Sequence, residues 1–263
     1  MRLVHPSAVI SSSAIIEENV YVGEGTEIGD DTFIGYGAYI GPNVKIGKRN
    51  KIYPYAVIGT PPQHLEHKEG DLTYVKIGDG NIIREFATIH SGSKVGGGIT
   101  QIGNNNYIMA YAHVAHDCKV GNNCILTSFS ALAGHTEVGD RVVFGGFSGT
   151  HQFVRVGKLV MIGAGSFPTK DIPPFVLAAG VETRIVGLNI VGLKRAGVPS
   201  HEIENLKKAL KIFISSTKIE EAVEEIRKMD QSSSYIQEFC SFISMKSKRG
   251  ILKKFEKDAL SIR

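Results

Sequence analysis

Cysteine is scarce in this chain, three residues in all, and an odd number without regular pairing builds no disulfide framework and suits a reducing compartment. Long apolar runs are missing too. No window reaches the roughly 18 uninterrupted apolar residues of a membrane-spanning helix, so no membrane span is expected. The opening "MRLVHPSAVI" lacks the apolar core and cleavage site of a secretory signal, and the expected location is cytoplasmic. Charge of one sign is also lacking. The formal balance is only +4, and no basic run is interleaved with aromatics, which argues against nucleic acid as a partner. What the chain does have is apolar content, 42% over 263 residues, enough to bury a sizeable core.

That content is periodic. Nine consecutive hexads end at Ile10, Ile16, Val22, Ile28, Ile34, Ile40, Ile46, Ile52 and Ile58. The period resumes at Ile77, Ile83, Ile89 and Val95, absorbs one extra residue in the glycine run 96–98, and continues from Ile102 to Ile162. A six-residue repeat drifts around an α-helix of about 3.6 residues per turn, so no helical face could bury it. It fits short strands separated by corners. The fourth position of each hexad is small, as in Ala8, Ala14, Ala38, Cys118 and Cys124, so positions four and six point inward together. Position one is often Gly, which suits corners that need positive φ. Three such faces close a coil of eighteen residues, and stacked coils form a triangular parallel β-helix.

The stretch "AHVAHDCKVGNN", residues 112–123, sets two histidines three apart beside an aspartate and a cysteine, in the manner of a metal site. Cys118 and Cys124 fall in small inward slots, so they read as core fillers and not as ligands. His116, Gly134 and Gln152 form one column at intervals of a coil, with His135 above Asp117, His151 above Ala133, and His113 on the preceding outward position. These positions are expected at solvated corners. Segments distant in sequence thus converge on one polar edge, as a site requires. Residues 59–76 break the period with two prolines and are expected to leave a corner as a loop insertion, with Gln63 and His64 as its polar contacts.

Beyond the hexads the period turns helical, which divides the chain into a β-helix over 1–186 and a small C-terminal α-helical domain over 187–263. Ile203, Leu206, Leu210 and Phe213 share one face of a helix capped by Ser200. Thr217 and Glu220 form a capping box, and a further helix runs from Ser234 towards a stop at Gly250.

The hexads together with "AHVAHDC", "LAGH", "THQF", "DIPPF", "GLNIVGLKRAG" and the helical tail resemble the acyl-ACP:UDP-N-acetylglucosamine O-acyltransferase family, over essentially the whole chain. The resemblance implies a mainly β fold, a left-handed parallel β-helix of hexapeptide repeats, assembled as a homotrimer with active sites between subunits. It implies transfer of a 3-hydroxyacyl chain from acyl carrier protein to the 3-position of UDP-N-acetylglucosamine, or of its 3-amino analogue, in the first step of lipid A biosynthesis. No cofactor and no metal are implied. His116 resembles the general base, Asp117 its orienting partner, and Gly134 the backbone donor to the oxyanion. Gln63, His64, His113, His135, His151 and Gln152 resemble contacts to sugar nucleotide or acyl chain, Asn189 and Arg195 resemble nucleotide-side contacts, and Ala164 falls where the acyl groove would end. The chain departs from well-known members at His64, where they carry Asp, and at Val191 and Ala196, where they carry Glu and Arg. An alternative of the same coil architecture is a zinc-dependent β-helix hydratase, of the gamma-class carbonic anhydrase type, which would need bound metal.

Overall fold

A computed structural model describes residues 3–255. The expected helical domain, 187–263, therefore ends partly outside the described residues. Short strands, most of two residues, stack into three sheets of eight, eight and ten strands. The first face runs from Leu3–Val4 to Gly149–Thr150, the second from Val9–Ile10 to Arg155–Val156, and the third from Ile15–Ile16 to Met161–Ile162. Pairing within these stacks is parallel and, apart from a shift between Ile58 and Thr60, in register from coil to coil, as where His113 meets Ala131 and Val114 meets Leu132. The hexad's last aliphatic is inward throughout, so Ile34, Ile40, Ile52, Ile58, Ile83, Ile89 and Ile108 are completely buried. Each coil therefore buries the apolar floor of the next, and no coil is stable alone.

The small inward slot behaves as expected. Cys118 and Cys124 are free and buried, with their thiols near the carbonyl oxygens of Ala133 and Gly139 at 3.2 and 3.1 Å. Burial pushes both thiols up to about 12, so neither is a thiolate at neutral pH.

The corners correct one expectation. Positive φ is carried mostly by Asn, Asp and aromatic residues, among them Asn19, Asp31, Asn43, Tyr55 and Phe129, and not by the glycine that leads many hexads. That leading glycine is needed for close stacking: a Cβ on Gly23 would lie 2.6 Å from the backbone of Gly41 in the next coil.

Two insertions interrupt the stack, and both leave the corner between the first and second faces. The first joins Val57–Thr60 to Tyr74–Ile77, and the second joins Thr88–His90 to Ile99–Ile102. The second is longer than the single extra residue expected from the glycine run. Val95 ends no hexad. It lies 64% exposed in a 3₁₀ turn, Lys94–Gly96, and the following strand begins only at Ile99. A seven-residue bulge mimics one hexad plus one residue, and counting by sixes could not distinguish them.

The third sheet closes with Val176–Ala179, parallel to Met161–Ile162, and Arg184–Leu188, antiparallel to it. Among the described residues four helices follow: α1 (Ile190–Arg195), α2 (Ser200–Ser215), α3 (Ile219–Met229) and α4 (Ser234–Ser244). Their caps differ from expectation. Pro199 and Lys218 hold the N-cap positions of α2 and α3, neither with a side-chain bond, and Ser200 is already helical. Ser233, not Ser234, caps α4 by accepting from Ile236 N–H, and α4 ends at Ser244, well before Gly250. The helical layer is fastened to the coils by Arg155, which pairs with buried Asp171 at 2.7 Å and lies over the Phe242 ring of α4.

Candidate active site

The corner between the first and second faces brings the sequence-predicted edge together. His116 and Asp117 occupy the turn between His113–Val114 and Lys119–Val120, and Asp117 takes the left-handed conformation with φ 60°. His135 and Phe153 repeat that conformation in the next two coils, so the three side chains leave the corner in one direction. His135 Nε2 lies 3.8 Å from Asp117 Oδ2, its ring crosses that of His116 at 5.1 Å, and its other side stacks on Phe153 at 4.4 Å.

These are not solvated corners. His116 is 4% and Asp117 5% exposed, because the two insertions from the same corner cover them. From the first, His64 meets His116 edge to face at 5.2 Å. From the second, Ser93 donates its N–H and hydroxyl to the Asp117 carboxylate at 2.9 and 2.6 Å. The insertions hold each other. Lys94 pairs with Asp71 at 3.4 Å and Thr73 donates to Ser91 at 3.0 Å.

Asp117 is the hub. Oδ2 accepts from His116 Nδ1 at 2.8 Å and from Ser93 Oγ, Oδ1 accepts from Ser93 N–H, and the Asp117 N–H donates to Thr100 Oγ1. A carboxylate can only accept, so the proton between it and His116 resides on Nδ1. Nε2 of the neutral imidazole keeps its lone pair, the state of a general base. Gly134 in the next coil lies directly against this ring. The ligand atoms of His116, Asp117 and His135 lie within 4.8 Å of one another, the one such group among the described residues. Oδ2 is nevertheless already committed to two donors, which suits hydrogen bonding better than coordination.

A second histidine pair was missed in the sequence. His90 crosses His113 at 5.0 Å, and Thr88 Oγ1 lies 2.7 Å from His113 Nδ1. Once the bulge is counted, Thr88 pairs with His113, which sets His90 below Ala115 in the column that ends at His151; that alignment is the signal that could have found it. Burial holds His90 down to about 4, with His113 and His116 adding to the effect. Burial lowers His113 and His135 as well. In all three, burial disfavours the protonated imidazole.

The remaining predicted residues lie further out. His151 and Gln152 are exposed at the same corner above Gly134, and Gln63 is exposed next to His64. Asn189 is spent on structure: Oδ1 caps α1 by accepting from Gly192 N–H, and Nδ2 donates to Leu159 O. Arg195 is exposed at the end of α1, and Ala164 is exposed at the corner between the third and first faces, an edge away from His116.

Comparison with known proteins shows the family of the chain. Residues 171–252 match the family described as Udp N-acetylglucosamine O-acyltransferase, domain 2, and residues 25–60 and 99–134 match the bacterial transferase hexapeptide repeat. The acyl-[acyl-carrier-protein]--UDP-N-acetylglucosamine O-acyltransferase of Sulfurihydrogenibium sp. is 54% identical over 213 residues, 81% of this chain and 78% of its own length. The chain belongs to the UDP-N-acetylglucosamine O-acyltransferase family. A solved acyltransferase of this family from Francisella novicida superposes with a TM-score of 0.92 at 38% identity, over 99% of this chain and 94% of its own. The one from Moraxella catarrhalis gives 0.80 at 39%, over 95% and 99%. The coils are accordingly the family's left-handed parallel β-helix of hexapeptide repeats, followed by its helical C-terminal region. The protein is an acyltransferase. At this corner the chain places an imidazole, His64, against the ring of His116.

Proposed function

We propose that the chain transfers a 3-hydroxyacyl group from the thioester of an acyl carrier protein to the 3-position of UDP-N-acetylglucosamine, or of its 3-amino analogue, in the first step of lipid A biosynthesis. The observation that carries this reading is the covered His116–Asp117 pair beneath Gly134, in a chain 54% identical to a relative named for that activity.

In this mechanism His116 Nε2 removes the proton from the acceptor hydroxyl as its oxygen attacks the thioester carbonyl. Asp117 holds Nδ1 and stabilises the imidazolium that forms. The Gly134 N–H, one coil above, donates to the developing oxyanion. Collapse of the tetrahedral intermediate breaks the C–S bond, and the departing thiolate takes the proton from His116, giving the acyl-sugar nucleotide and the free carrier thiol. His64, His113 and His135, neighbours of the base, contact the acceptor or the acyl chain, together with Gln63, His151 and Gln152. Arg195 faces the diphosphate, where a planar fork of donors suits phosphate oxygens. No metal or other cofactor takes part.

Assembly completes the site. Tyr55, Phe86, Tyr111, Phe129 and Phe147 form a stacked ladder along the corner between the third and first faces, with centroids 4.7 to 5.4 Å apart and each ring substantially exposed. Ala164 lies on the same corner. Contiguous exposed aromatic surface marks an interface, and a homotrimer would set this corner against the histidine edge of a neighbour and enclose an acyl groove between them. Among the described residues no helix is long and apolar enough to cross a membrane, and we assign the protein to the cytoplasm.

His116→Ala tests the reading. Acyl transfer is expected to fall by about 10²- to 10⁴-fold, the range for a general base, while the trimer stays folded. A variant that keeps more than about a tenth of the parent rate removes His116 from the role.

A further inference from the structure

His116 takes its orientation from Asp117, and Asp117 is held by one residue of the seven-residue bulge. Ser93 is 2% exposed and donates twice to the same carboxylate, its N–H to Oδ1 and its hydroxyl to Oδ2. Oδ2 is also the atom that receives His116 Nδ1. We propose that Ser93 is the positioning residue of the base: its hydroxyl fixes Asp117 Oδ2 towards His116. The proposal rests on the acyl-transfer reading with His116 as base.

The bulge is built to present that hydroxyl. Ser93 caps the Lys94–Gly96 turn by accepting from Gly96 N–H at 3.1 Å, so the lone pair that closes the turn leaves the O–H free to point at Asp117. Without the hydroxyl, the carboxylate is released towards a competitor, because His135 Nε2 lies 3.8 Å from the same oxygen. An Asp117 shared with His135 no longer fixes the Nδ1-protonated form of His116 in line with the acceptor.

Steady-state kinetics of the trimer decide the matter. Ser93→Ala is expected to lower kcat roughly tenfold or more, as for loss of a hydrogen bond to a charged group. KM for both substrates should stay within about twofold, since Ser93 acts through Asp117. Ser93→Thr, which keeps the hydroxyl, should restore kcat. A folded Ser93→Ala with parental kcat, or one whose loss Ser93→Thr does not restore, overturns the proposal. If that variant does not fold, near-isosteric Ser93→Cys, a weak donor, is judged by the same readouts. An inactive parent protein sinks the acyl-transfer reading itself, whereas an active parent with an indifferent Ser93 variant sinks only this role.

Discussion

Gly134 lies so close above His116 that a methyl group on its Cα would come within 2.6 Å of Cε1 and 2.7 Å of Nε2 of the imidazole. Any other residue at 134 must displace the base. The φ of Gly134 is not in the left-handed region, so Gly134→Ala places no strain on the backbone and acts on the ring alone. Its kcat is expected to fall about 100-fold or more, the scale of losses from small misplacement of a catalytic group, with little change in melting temperature. Parental turnover in a folded Gly134→Ala protein would show that His116 tolerates displacement and is not the base.

Acyl-chain length is expected to respond to Ala164. Its edge is separate from the histidine edge of the same chain, so it reaches a bound acyl chain only across a subunit interface. Ala164→Met should shorten the preferred donor by several methylenes, each worth about 0.8 kcal/mol when buried. Competition between acyl carrier proteins of different chain length checks this, and an unchanged profile in an active trimer takes Ala164 out of the groove.

Stability should depend on His90. Its imidazole is held down to about 4, first by burial and then by His113 and His116. The unfolded chain takes up this proton below about pH 6.5, the ordinary histidine value, and the folded chain does not until near pH 4. The contribution is complete above pH 6.5 and is lost progressively as pH falls towards 4. Thermal melts at pH 7.5 and 5.0 should show a lower midpoint at 5.0, and His90→Asn should reduce the difference. Equal pH dependence in parent and variant would rule out His90 as its source.

Activity should survive excess EDTA undiminished, since Asp117 Oδ2 already holds two donors and both buried cysteines of the β-helix fill inward slots. A reproducible loss restored by zinc would instead support a metal-dependent reaction of the alternative kind.

The repeat by itself determined the coil. A six-residue apolar period with a small fourth position has one consistent burial pattern, three inward faces, and Ile34, Ile58 and Ile89 are buried accordingly. An eighteen-residue coil likewise stacked His135 on Asp117 and Gly134 on His116, because register in a parallel sheet carries corner residues into columns. Handedness and assembly were not contained in the period, which is the same for either hand, and entered through the resemblance.

Tertiary structure alone decided what happens where the repeat breaks. Val95 kept hexad spacing yet lies exposed in a 3₁₀ turn, since seven residues leave the apolar phase almost unaltered whether they build a face or a bulge. That bulge and residues 59–76 rise from one corner and fold over it. In this way a histidine expected in solvent becomes buried, Ser93 becomes the clamp on Asp117, and His64 and His90 join the cluster. Hydrogen bonds between insertions that pack against each other depend on where loop atoms come to rest, and no spacing along the chain encodes that.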